Sequence, residues 1–137
     1  MKINPKLIAE FLEGRRDLET RAVLQLLQER LPPTRLRRSQ AGRAAEAAIL
    51  AGIAGKFNIP NEYRGKVADL RDFLHLLRLH LARRFEIQDK DIGQGDSVTL
   101  HGSIPAKVLR VEDTFYLLLK LSGGRGRYAP PSVVTKP

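Results

Sequence analysis

Gly95-Asp96-Ser97-Val98-Thr99-Leu100-His101-Gly102 is followed by Pro105-Ala106-Lys107-Val108-Leu109-Arg110-Val111-Glu112-Asp113 and by Phe115-Tyr116-Leu117-Leu118-Leu119-Lys120-Leu121. These three runs read as strands. Val98 and Leu100 alternate with Thr99 and His101, the two-residue period of a strand with one face in a core. Gly123-Gly124 supplies a turn, and Tyr128-Ala129-Pro130-Pro131-Ser132-Val133-Val134 closes the region with a short fourth strand. The third run is apolar on both faces. Its outer side is therefore expected to pack on helices, which suits a β module too small to bury a core alone.

Upstream the period changes from two to 3.6. Asn4-Pro5 starts a helix, with a side-chain acceptor at the cap and proline at the first helical position. Leu7, Ile8, Phe11 and Leu12 form its apolar face, and Gly14 ends it. Asp17 caps a second helix with Leu18, Ala22, Val23, Leu26 and Leu27 on one side, and Pro32-Pro33 stops it. An alanine-rich helix spans about Ser39 to Gly55, and its small side chains suit either a close-packed core or a dimer seam. After a turn at Asn58-Ile59-Pro60-Asn61, the longest helix runs from Asn61 to about Phe85. Val67, Leu70, Leu74, Leu77 and Leu81 form its main stripe, and Phe73, Leu76 and Leu79 widen it. Glu86 to Gln94 reads as a linker.

The expected fold is thus α+β. About four helices over residues 1–88 form a bundle, and residues 93–137 form a small SH3-like β-barrel packed on the long helix 61–85.

Gly95-Asp96-x-Val98, Gly102, Val108, Val111 and the Glu112-Asp113 turn resemble the opening of an SH3-like barrel of the KOW or Tudor kind. The leucine-rich strand, Gly-Gly turn and Pro-Pro-Ser-Val-Val close are similar too. Modules of this type occur in ribosomal proteins, transcription elongation factors and the C-terminal part of ProQ-type RNA chaperones, so the resemblance implies a binding module. Where KOW sequences carry a glycine that shapes the RNA-facing loop, this chain has Ala106 or Lys107.

Charge points to the same class. The 137 residues carry 24 Lys and Arg against 15 Asp and Glu, a net +9. Such self-repelling charge is retained where the partner is a polyanion, either nucleic acid (RNA or DNA) or an acidic protein surface. Three groups of cations stand out. Arg64, Arg71 and Arg78 recur every seventh residue, so on a helix they drift only ~20° per step. None has an acid three or four positions away, which leaves them for successive phosphates or for acids elsewhere in the fold. Arg35, Arg37, Arg38 and Arg43 lie before and at the start of the alanine-rich helix. Arg125, Arg127 and Tyr128 follow the glycine turn, with charge and a stacking ring side by side. That segment lacks the Gly-Lys-Ser/Thr of a phosphate loop.

Catalysis finds little footing. The chain has no cysteine, which excludes disulfides, thiolate chemistry and cysteine-ligated zinc. His75 and His80 are ~140° apart around a helix and share no metal. Asp89-x-Asp91 lacks the twelve-residue loop of a calcium site. No enzyme activity, cofactor or metal is expected. The location expected is cytoplasmic and off the membrane, because no apolar run approaches the ~20 residues of a span and Glu10 and Glu13 interrupt the N-terminus. Two functions follow: non-enzymatic nucleic-acid binding through arginine–phosphate contacts with weak sequence preference, or an adaptor or assembly factor docking on an acidic partner, with a homodimer open in either case.

Overall fold

Asn4 caps the first helix as its chemistry dictates. Its Oδ1 accepts from the Leu7 amide at 3.1 Å, and Pro5 opens α1, Pro5–Glu13. The structure, a computed structural model, describes residues 2–15, 19–32 and 40–137. Among these residues four α-helices precede a five-stranded antiparallel sheet, so the fold is α+β. The chain divides into two compact units, Met1–Leu79 and His80–Pro137, and the division falls inside the last helix.

In the first unit, α2 is Thr20–Arg30 and α3 is Gln40–Lys56. The expected cap at Asp17 lies outside the described residues, as do Leu18, Pro33 and Ser39; Glu19 caps α2 by accepting from the Arg21 amide at 3.2 Å. The end of α3 has a physical stop that needs no glycine. Asn58 takes the left-handed conformation at φ 52°, and Ile59 donates back to the Ala54 carbonyl at 3.0 Å, which closes the last turn. A short 3-10 turn, Asn61–Tyr63, follows. The core of this unit is aliphatic, with Ile8, Leu27, Leu50, Leu74 and Leu77 essentially inaccessible. Around Phe73 it is aromatic: Phe11 meets Phe73 edge-on at 5.3 Å and Tyr63 stacks on it at 4.9 Å.

The longest helix differs from the expectation at both ends. α4 is Val67–Lys90, beginning after Gly65 and running through the stretch read as a linker. Asp91 stops it, at φ 54°, with Ile92 donating to Ile87 at 3.1 Å. This is the same left-handed closure as at Asn58, again without a glycine.

In the second unit the strands are β1 Ser97–Leu100, β2 Ile104–Val111, β3 Leu117–Leu121, β4 Gly126–Ala129 and β5 Val134–Thr135. Their order in the sheet is β4-β3-β2-β1-β5. The closing segment expected as one short strand is instead β4, a 3-10 turn at Pro131–Val133, and β5, which returns to pair with β1. The two prolines break the strand, and each lacks the amide a ladder requires. Gly124, at φ 83°, turns the chain between β3 and β4.

Val98, Leu100, Val108, Leu117, Leu119, Ala129 and Val134 form one core with Ile87 of α4 and with Ile92. Helix and sheet of this unit thus meet on the face that carries Leu117 and Leu119. Leu118, half-buried, points the other way. Its cross-strand partners are Arg110 and Tyr128. Lys90 secures the chain end: its Nζ donates to the carbonyls of Pro131 at 2.8 Å and Val134 at 2.9 Å. Phe115, half-buried, occupies the left-handed region at φ 60°. A bulky side chain takes that conformation at a cost, here offset by an edge-on contact with His80 at 4.9 Å.

Candidate functional site

A fault in the pairing of β2 with β3 creates the main cationic surface of the second unit. Lys107 pairs with Lys120 and Val108 with Leu119, but Leu118 then pairs with Arg110, and the register shifts between Val108 and Arg110. One extra residue, Leu109, is accommodated as a β-bulge. Strict alternation would have placed Arg110 on the core side with Val108. The bulge resets the count, so Arg110 joins Lys107 on the outer face and Val111 returns to the core side opposite Leu117.

The outer face therefore carries two cross-strand rows. One runs Ser97, Lys107, Lys120, Gly126 across β1 to β4. The other runs Arg110, Leu118, Tyr128 across β2 to β4. Lys107 and Lys120 are both exposed, and neither ammonium has a carboxylate partner among the described residues. Directly opposed like charges destabilise a sheet, so this pair works against the fold that contains it. A shallow cleft of about 570 Å³ opens beside them, walled by Ser97, Thr99, Pro105, Lys107, Lys120 and Ser122 among others.

The second row is held in place by side-chain bonds. The Arg110 guanidinium donates from Nε to the Glu112 carboxylate and from Nη2 to the Tyr128 hydroxyl at 3.3 Å. These partners, Glu112 foremost, raise the Arg110 pKa above its ordinary value. The Tyr128 ring is 57% exposed although its tip is tethered. Leu118 leans across Gly126, with Cδ1 3.7 Å from where a side chain there would begin.

The residues singled out from sequence fall differently. Arg35, Arg37 and Arg38 lie outside the described residues. Arg43 is exposed in the first turn of α3. Arg64 is exposed but follows the 3-10 turn and precedes α4, so the seven-residue spacing does not place it on a helix with the other two. Its Nη2 lies 3.8 Å from where a side chain on Gly55 would begin. Arg71 is on the helix but is committed internally: its Nε donates to Glu46 Oε1 at 2.8 Å, Nη2 donates to the same oxygen, and Glu46 is only 4% exposed. Arg78 is half-buried and contacts His75 Nδ1 at 3.1 Å. Partial burial, then Arg78 and Arg71, lowers the His75 pKa, which favours the neutral ring as acceptor.

Arg125 is exposed next to the β3–β4 turn, where its carbonyl accepts from the Leu121 amide. Arg127 and Tyr128 are both exposed but do not act as one group. Arg127 pairs with Leu119 and Tyr128 with Leu118, so adjacent residues leave opposite faces of the edge strand. Tyr128 keeps company instead with Arg110, and through the β3 row with Lys107 and Lys120. These three cations were not picked out from sequence. The alternation around Lys107 and Lys120 is visible there, but the bulge that delivers Arg110 is not.

Among the described residues no three His, Asp or Glu side chains cluster to hold a metal ion, and no helix is long and apolar enough to cross a membrane. No family model, curated protein or solved structure matches the chain.

Proposed function

We propose that this protein binds nucleic acid without catalysing a reaction on it, chiefly through phosphate contacts and with weak sequence preference. One observation carries the reading: Lys107 and Lys120 are held opposite each other, exposed and without a carboxylate partner among the described residues, on the face to which the bulge brings Arg110. Two ammonium groups facing each other across a ladder favour an anion between them, and the displaced counterions add to its affinity. Arg125 and Arg127 extend the positive field around the β3–β4 edge, and exposed Arg43 and Arg64 supply further cations in the first unit.

The strand order, with β5 returning to β1 after a 3-10 turn, supports reading residues 93–137 as an SH3-like module of the KOW or Tudor kind. Such a module is a scaffold for binding. A cysteine-free chain of this charge suits a cytoplasmic polyanion ligand.

The test is a titration of labelled mixed-sequence oligonucleotides at increasing salt. Affinity is expected to fall linearly on logarithmic axes, with Lys107→Ala and Lys120→Ala each reducing the slope by about 0.7 on a single strand. No binding at low salt, or binding with no salt dependence, overturns the proposal.

A further inference from the structure

We infer that the outer sheet face takes a single strand, with a base lying on Tyr128 and the adjoining phosphates on Lys107 and Lys120; this rests on the nucleic-acid reading above. The geometry of the two rows separates a single strand from a duplex. On β3 the rows are two residues apart, at Leu118 and Lys120, which is about 7 Å along the strand. A row with both lysines and a row with Leu118 and the Tyr128 ring, Arg110 standing at its β2 end, match at that separation the alternation of phosphate and base within one nucleotide. A duplex presents phosphates to such a face but keeps its bases stacked inside, so the Leu118–Tyr128 row gains nothing from it.

Width gives the same answer. The Ser97–Lys107–Lys120–Gly126 row crosses four strands, about 14 Å between the outer two. The major groove is about 12 Å wide and admits a helix or a two-stranded ribbon. The face is too broad to enter it, whereas an extended strand can lie across it.

The aromatic platform is pre-organised. Arg110 holds the Tyr128 hydroxyl at 3.3 Å, and Glu112 holds Arg110, so little ring freedom is lost on binding. Gly126, one row along on the same strand and face, adds no side chain of its own, and the Leu118 methyl that leans across it extends the apolar platform beside the ring. Stacking on an aromatic face accepts every base, which accounts for weak sequence preference in structural terms.

The experiment compares three labelled probes of one length at low salt: a mixed-sequence single strand, the same strand annealed to its complement, and a strand of abasic sites with the same charge. The single strand is expected to bind roughly tenfold more tightly than either of the others. Tyr128→Ala should lose about 5- to 150-fold on the single strand while leaving the duplex unchanged, and Tyr128→Phe, which keeps the ring but loses the Arg110 tether, should lose much less than Tyr128→Ala. Equal binding of all three probes overturns the single-strand inference and leaves the phosphate reading standing. Binding of none removes both. The abasic probe requires no change to the protein, so the result does not depend on how a variant folds.

Discussion

Arg71 and Glu46 form an ion pair across 25 residues of sequence, with two guanidinium nitrogens converging on a single carboxylate oxygen that is nearly inaccessible to water. The arginine that looked most available from its helical spacing is a structural element of the first unit. Removing one partner takes from the other its matched charge in a poor solvent. Arg71→Ala and Glu46→Ala should each cost about 3 kcal/mol in urea unfolding, while a double replacement by Met and Leu should recover most of it. Neither single variant should change the salt slope of nucleic-acid binding.

His80 gives the fold a pH dependence. It is 7% exposed, with Phe115 against its ring and Arg83 and Arg84 on its own helix. Burial first, then the two arginines, push its pKa down to about 4. The unfolded chain, with an ordinary histidine near 6.5, therefore takes up the proton first. Stability from this residue is complete above about pH 6.5 and is lost as pH falls toward 4. Unfolding monitored between pH 7 and pH 5 should show a decline of at most about 2 kcal/mol from this source, and His80→Met should flatten it.

Glu112 opposes the proposed ligand by holding Arg110. In Glu112→Gln the guanidinium loses its charged competitor. Affinity for a single strand should rise several-fold and the salt slope should steepen by up to about 0.7. Stability should scarcely change, because the pair is substantially solvated. Weaker binding by this variant would mean that Arg110 serves only to hold Tyr128.

Lys90 closes the C-terminal segment by donating to the Pro131 and Val134 carbonyls and by pairing with Glu86 at 3.0 Å. Lys90→Met keeps the aliphatic stem and removes the ammonium. The second unit should lose about 2 kcal/mol, and amide exchange should accelerate first in the β1–β5 ladder.

Much of this architecture was legible in the residues. Asn4-Pro5 gave the start of α1, Val98 and Leu100 the core side of β1, and Gly124 the last hairpin. The failures have specific physical origins. Both misread boundaries around α4 depend on local closure rather than on composition: a 3-10 turn before Val67, and Asp91 in a conformation usually left to glycine. Arg71 could not be assigned from its own helix because its partner is on α3. Arg127 and Tyr128 were read as one contact because they are neighbours, yet neighbours in a strand part company. Arg110 was missed because nothing in Val108-Leu109-Arg110 marks a bulge.

The bulge makes the identity of this surface a question of odd or even. Straightening β2 with its length unchanged would turn a guanidinium toward the leucines and Val111 toward solvent, whereas deleting Leu109 would leave both on their present faces. Substitutions that favour regular pairing at Val108-Leu109-Arg110, more than loss of the extra residue, are the changes by which such a sheet would lose its outer guanidinium.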